Sequence, residues 1–354
     1  MVHSSFAERH PLARRFLVGT IVLGALTACG TAALQHEEAR LTFRVVKETP
    51  GWYAGLPDGV RELDIPVDSA ADSQHIHAWW WPAADANAPA VLYLHGTRWS
   101  LTGQVFRLEQ LRDFGFSVLA IDYRGFGKSD GDLPSEKTVY EDAHAAWAWL
   151  VAQQPDPARR FIYGHSLGGA VAVDLAESLS EQSGESASAL AGASTTESQA
   201  QPPARRVSAA DTPSKSAAAG PAAARRATPA GGLIIETTFT TLADIAREVT
   251  YSWLPVGLLL SQKFDSMSKM SRVTMPVLVV HGAADRFVPS RFSQQLYDAA
   301  TAPKKLLLVE GGSHNNSMRA GAEQYRTALD QLFGLRLNGE NGLGVAAAPR
   351  RTGS

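Results

Sequence analysis

Phe161-Ile162-Tyr163-Gly164-His165-Ser166-Leu167-Gly168-Gly169-Ala170-Val171-Ala172-Val173 runs from a short apolar, β-branched and aromatic stretch through a glycine-rich turn into a small-residue apolar helix. This is the Gly-x-Ser-x-Gly pattern in the strand-turn-helix setting that gives it chemical meaning. Ser166 has to sit at the tip in a strained backbone conformation, and only small residues at Gly164 and Gly168 let strand and helix approach that closely. The five-residue pattern alone also describes an ordinary glycine-rich turn; the flanking strand and helix favour a nucleophilic serine.

Outward from this turn the chain alternates short apolar runs with amphipathic stretches. Strands are expected at 63–67, 76–81, 91–95, 118–123, 161–164, 233–237, 277–281 and 306–310, and helices at 106–114, 138–153, 169–179, 292–300 and 321–333. Such alternation implies βαβ units and an α/β fold: a mostly parallel eight-stranded sheet with helices on both faces. No helix separates the first two strands, so they are expected to be antiparallel. Trp79, Trp80 and Trp81 lie on the second, where alternation sends Trp80 to one face and its neighbours to the other. They read as packing residues rather than a ligand platform. A length of 354 residues would allow two domains, yet one alternating pattern spans the chain.

An unassisted serine hydroxyl is a weak nucleophile and needs a base and an orienting acid. Of ten histidines, His314 alone follows the last strand, in Gly311-Gly312-Ser313-His314, where a glycine-containing loop could bring its ring to Ser166. Two carboxylates compete for the acid's place. Asp285 follows the strand that ends at His281, and Glu236 closes the strand before it. Asp285 is preferred, with capping of the next helix as its bland alternative. An oxyanion would need two fixed backbone donors. Leu167, next after the nucleophile, and Thr97, after His95-Gly96 at the end of the third strand, are the candidates.

Beside the serine turn stand Leu94-His95-Gly96, Asp122-Tyr123-Arg124-Gly125-Phe126-Gly127-Lys128-Ser129, Val279-Val280-His281-Gly282-Ala283-Ala284-Asp285 and Gly312-Ser313-His314-Asn315. With these blocks the chain from 63 to 333 resembles the α/β-hydrolases, in the branch of serine aminopeptidase-like and lysophospholipase-like enzymes. The resemblance implies a Ser166-Asp285-His314 triad and an acyl-enzyme route. Thr97-Arg98-Trp99 departs from the small Asn- and Gly-containing stretch usual after His-Gly in that branch.

Residues 1–28 read as a leader: Arg9, Arg14 and Arg15 precede an uncharged, mostly apolar run of 13 residues from Phe16 to Ala28. That run is shorter than the ~20 residues of a spanning helix and suits an export signal. It closes on Leu26-Thr27-Ala28-Cys29, which resembles the lipobox of bacterial lipoproteins and would make Cys29, the sole cysteine, a lipidated N-terminus. Gly30 in place of Asp favours, by that resemblance, the periplasmic side of the outer membrane. Residues 29–60 are expected to be a tether and lead-in, and 61–335 the α/β domain. An Ala-, Ser- and Pro-rich insertion interrupts it from about 183 to 230, expected to be disordered, as is a tail from 336 to 354.

Charge and composition narrow the functions. A 45% hydrophobic, 19% charged chain has ample surface to bury, and a net charge of −2, becoming −4 without residues 1–28, offers no field for nucleic acid or anionic lipid. Any membrane attachment must then come from the lipid. One cysteine excludes a disulfide framework or a cysteine-based metal site, no histidine pair has zinc spacing, and Gly127-Lys128-Ser129 lacks the first glycine of a phosphate loop. No metal and no cofactor are expected. The apolar stretch from Tyr251 to Phe264 suits either a small cap over an acyl pocket or a core helix. The expectation is an ester hydrolase on small-molecule acyl esters, with lipid-like ones favoured. A peptidase, amidase or acyltransferase with the same residues, or an inactive membrane-tethered binding protein, are the alternatives.

Overall fold

The computed structural model describes residues 32–67, 73–196, 229–249 and 256–335. Cys29 with its leader, most of the insertion (197–228) and the tail lie outside the described residues. Eight strands form one sheet: β1 (Arg61–Val67), β2 (Gln74–Trp81), β3 (Ala90–Leu94), β4 (Ser117–Ile121), β5 (Arg160–His165), β6 (Gly232–Glu236), β7 (Val277–Gly282) and β8 (Lys304–Val309). Their spatial order is β1-β2-β4-β3-β5-β6-β7-β8. β1 runs antiparallel to β2, and β2 to β4; the other pairings are parallel. All eight expected strands are present.

The helices are α1 (residues 32–43), α2 (Val105–Asp113), α3 (Glu136–Gln153), α4 (Leu167–Thr196), α5 (Leu242–Val249), α6 (Val256–Leu259), α7 (Ser266–Met270), α8 (Ser290–Ala299), α9 (Ser317–Ala320) and α10 (Ala322–Phe333). Alternation within the central strands divides them between two cores. Leu92 and Leu94 face the side covered by α1, α3, α4 and α8, while Val91 and Tyr93 face α2 and α10. The tryptophans follow the same rule: Trp80 packs edge-on to Trp149 of α3, and Trp79 stacks on Tyr53 across the sheet. Local chemistry sets the helix ends. Ser135 and Thr138 cap α3 reciprocally, and Gly334, at φ 68°, closes α10.

Two of the expected segments fall partly within the described residues. The insertion is expected from about 183, and the α4 backbone is helical to Thr196. Its Ala, Ser, Glu and Leu residues are compatible with helix, and the lack of aromatics that marks this stretch weighs against burial rather than against helix. The described part of the expected tether and lead-in, residues 32–60, packs on the domain. Phe43 of α1 is fully buried against Phe126 and Phe264, so its removal to Ala would cost about 3–5 kcal/mol. Glu38 caps the backbone of Ser261 and Gln262. Phe264 is therefore core, whereas Leu259 is exposed. Tyr251, Trp253, Leu254 and Pro255 lie outside the described residues. Among the described residues no helix is long and apolar enough to cross a membrane.

Candidate active site

Ser166 stands between the last residue of β5 and the first of α4, with φ 54°, a left-handed conformation that a residue with a side chain adopts only under constraint. The constraint is visible around it. A Cβ on Gly164 would lie 2.6 Å from the Gly169 Cα, and one on Gly168 would lie 2.6 Å from the His95 carbonyl oxygen and closer still to that of Leu94. The glycines thus let α4 close against β5 and β3. The Ser166 N–H donates to the Glu236 carbonyl at 2.9 Å, tying the turn to the end of β6.

Asp285 and His314 are brought together by the pairing of β7 with β8, in which Gly282 lies opposite Val309. Beyond the paired ends the loops stay attached: Ala283 N–H donates to the Val309 carbonyl and Ala284 N–H to that of Gly312, both at 2.8 Å. A Cβ on Gly282 would meet the Gly312 carbonyl at 2.5 Å, so this approach needs a glycine. The result is a continuous chain of contacts. Asp285 Oδ2 is 2.8 Å from His314 Nδ1, and His314 Nε2 is 3.1 Å from Ser166 Oγ.

Asp285 does not cap α8. Its Oδ1 accepts the N–H groups of Phe287 (2.7 Å) and Val288 (3.1 Å), which aims Oδ2 at the histidine. Burial pushes the carboxyl pKa up, but His314 and these two N–H donors outweigh it and hold the group below its ordinary value. It is ionised at neutral pH. His314 is largely enclosed, and the exposed ring of Phe287 lies edge-on to it with centroids 5.6 Å apart.

Of the two residues expected to supply backbone donors, Leu167 adjoins the serine in sequence and Thr97 adjoins Gly96, which packs on it. Leu167 is the first residue of α4, so its N–H has no intrahelical partner. Thr97 follows Gly96, whose backbone packs on Ser166: a Cβ there would sit 3.0 Å from the Ser166 Cβ. The next residue, Arg98, has φ 81° and is held by α1 and its extension: its N–H donates to the Phe43 carbonyl (2.9 Å) and its carbonyl accepts the Val46 N–H (2.8 Å). This support from the N-terminal segment has no signature in the sequence.

Glu236 stands apart from His314's ring. It is fully buried and faces Arg107 of α2, with Arg107 Nε 3.5 Å from its Oε2. Its carboxylate also accepts the hydroxyls of Tyr163 and Ser317. Arg107 escaped the sequence reading although a signal exists: it lies four residues before the buried Leu111 and beside the buried Leu108, a cation on the apolar face of its helix.

Comparison with known proteins identifies the family and the fold. Residues 91–326 match the alpha/beta hydrolase family. A protein of Mycobacterium tuberculosis without assigned function is 30% identical over 300 residues, covering 84% of this chain and 87% of its own. A lysophosphatidylserine lipase of Danio rerio is 26% identical over 257 residues, which are 68% of this chain and 55% of that enzyme. Among solved structures, the Pyrococcus furiosus esterase Pf2001 superposes with a TM-score of 0.51 at 16% identity, over 82% of this chain and 98% of the esterase. With the family matched across about two thirds of its length and the eight-stranded sheet in place, the chain belongs to the alpha/beta hydrolase family and is a hydrolase.

Proposed function

We propose that this hydrolase cleaves carboxylic esters by nucleophilic catalysis, with Ser166 as nucleophile, His314 as base and Asp285 as orienting acid. The observation that carries the reading is the Asp285-His314-Ser166 chain of contacts at 2.8 and 3.1 Å. Asp285, ionised, accepts the Nδ1–H of His314 and leaves a bare Nε2 facing Ser166 Oγ. As Oγ bonds to the ester carbonyl carbon, its proton moves to Nε2. The carbonyl oxygen gains the negative charge, which the N–H groups of Leu167 and Thr97 receive. Collapse of this intermediate breaks the carbon–oxygen bond to the alcohol, which takes the proton from Nε2 and leaves an acyl group on Ser166. Water, deprotonated by His314, then releases the acid by the same steps in reverse.

Acyl esters with lipid-like chains are the favoured substrates. The exposed Phe287 ring beside His314 gives an apolar approach to the serine, and a relative 26% identical acts on a lysophospholipid. Lipidation at Cys29 would place the enzyme at an envelope membrane, next to such substrates. The test is covalent labelling with a fluorophosphonate together with turnover of acyl esters of graded chain length. Wild type labels once, at Ser166, and Ser166→Ala loses both labelling and turnover while its unfolding transition is retained. Labelling at another residue, or turnover surviving in Ser166→Ala, overturns the assignment.

A further inference from the structure

Arg107 and Glu236 form a buried ion pair directly behind the reacting residues, 2% and 0% exposed. Each is fastened to the main chain that carries one of them. The Glu236 carbonyl accepts the Ser166 N–H at 2.9 Å, and its carboxylate takes the hydroxyls of Tyr163, on the strand leading to Ser166, and of Ser317, three residues after His314. Arg107 Nη2 lies 3.3 Å from the His314 carbonyl oxygen and 2.9 Å from His165 Nε2, the ring next to the nucleophile. Its Nε lies 3.5 Å from Glu236, joining the two holds. His165 Nε2 also lies 2.9 Å from the His314 carbonyl oxygen, so Arg107 and a neutral His165 ring meet at the same main-chain group. Burial and the Arg107 charge both drive the His165 pKa far below its ordinary value, consistent with that neutral ring.

We propose that the Arg107–Glu236 pair is the positioning unit of this site, setting the separation of His314 Nε2 and Ser166 Oγ through the backbones of the two residues. The inference rests on the Ser166–His314 reading above. Neither member touches substrate. Arg107 fixes the carbonyl of the base, Glu236 fixes the amide of the nucleophile, and Ser317 returns the loop of His314 to the same carboxylate. Donation from one planar guanidinium to the Glu236 carboxylate and the His314 carbonyl fixes a direction as well as a charge, which one ammonium cannot reproduce. A shift of about 1 Å between reacting atoms is worth on the order of 100-fold in rate.

The experiment measures kcat and KM for a chromogenic acyl ester in Arg107→Met, Arg107→Lys and Glu236→Gln, each normalised to active sites titrated with a fluorophosphonate. Arg107→Met is expected to lower kcat about 100-fold with KM within about twofold, because positioning fails after binding. Arg107→Lys, which keeps the charge, recovers about tenfold of that loss, and Glu236→Gln lowers kcat about tenfold. Normal kcat per titrated site in folded Arg107→Met overturns the proposal, as does a loss confined to KM. Where Arg107→Met does not fold, the other two variants decide: unchanged kcat per site in both overturns it. Ser166→Ala, run alongside, separates the two readings. Activity surviving there defeats the nucleophile assignment, whereas an inactive Ser166→Ala with a fully active Arg107→Met defeats only the positioning unit.

Discussion

Asp285 Oδ2 and His314 Nδ1 lie 2.8 Å apart across 29 residues of sequence, presented by loops that leave neighbouring parallel strands and stay bonded beyond the strand ends. Glu236, equally well placed at a strand end, turns the other way. Asp285→Asn is therefore expected to lower turnover on the order of 10⁴-fold by presenting the imidazole in the wrong tautomer, against about tenfold for Glu236→Gln. Steady-state rates on the same ester check this, and the opposite ranking would make Glu236 the acid.

Gly168 is the most sterically exacting position of the serine turn. A methyl group there would meet the Leu94 and His95 carbonyls, both held in or next to the β3 ladder, and neither can yield without breaking sheet pairing. Gly168→Ala is expected to cost about 3 kcal/mol or more in urea unfolding. Gly184, where an added Cβ would meet nothing within 4 Å, is the control, and Gly184→Ala should be neutral or slightly stabilising. Equal midpoints for the two variants would show that the turn is looser than these contacts imply.

His77 of β2 couples stability to pH. Burial pushes its pKa down, but the carboxylates of Asp122, 3.4 Å from Nδ1, and Glu62, 3.0 Å from Nε2, outweigh burial and raise it. A raised folded pKa means that the charged ring contributes fully below the unfolded value of about 6.5 and loses that contribution as pH rises through the folded value. The stability gap between wild type and His77→Gln should be widest near pH 6 and narrow toward alkaline pH. Urea unfolding across that range measures it; a gap that widens with pH would contradict this sign.

Cys29 lies three residues before the first described residue, and Phe43 of α1 is locked into the core. If Cys29 is lipidated, the wild-type protein should sediment with membranes and partition into detergent, since acyl chains contribute ~0.8 kcal/mol per buried CH₂. Cys29→Ser should be released in soluble form or be held only by an uncleaved leader. Unchanged membrane attachment with the leader shown by mass spectrometry to be removed would exclude the lipid anchor.

The sequence by itself determined where the eight strands and five of the helices lie. Apolar alternation along 91–94 and 277–280 and the glycines of the serine turn are local signals, and side-chain period and backbone sterics act within a few residues. Ser166, Leu167, Thr97, Asp285 and His314 were legible as candidates because each closes or follows a strand whose apolar run marks it. Which of Asp285 and Glu236 meets His314 is a matter of tertiary structure alone, because both occupy strand ends and only the placement of β8 beside β7 brings one of them to the ring. Tertiary structure also decided that Arg107 and Glu236, 129 residues apart, share a buried site, and that the segment around Phe43 braces Arg98 next to Thr97. Such pairings are set by strand order and by which face a helix covers, and non-local contacts of that kind leave no periodicity for a sequence to display.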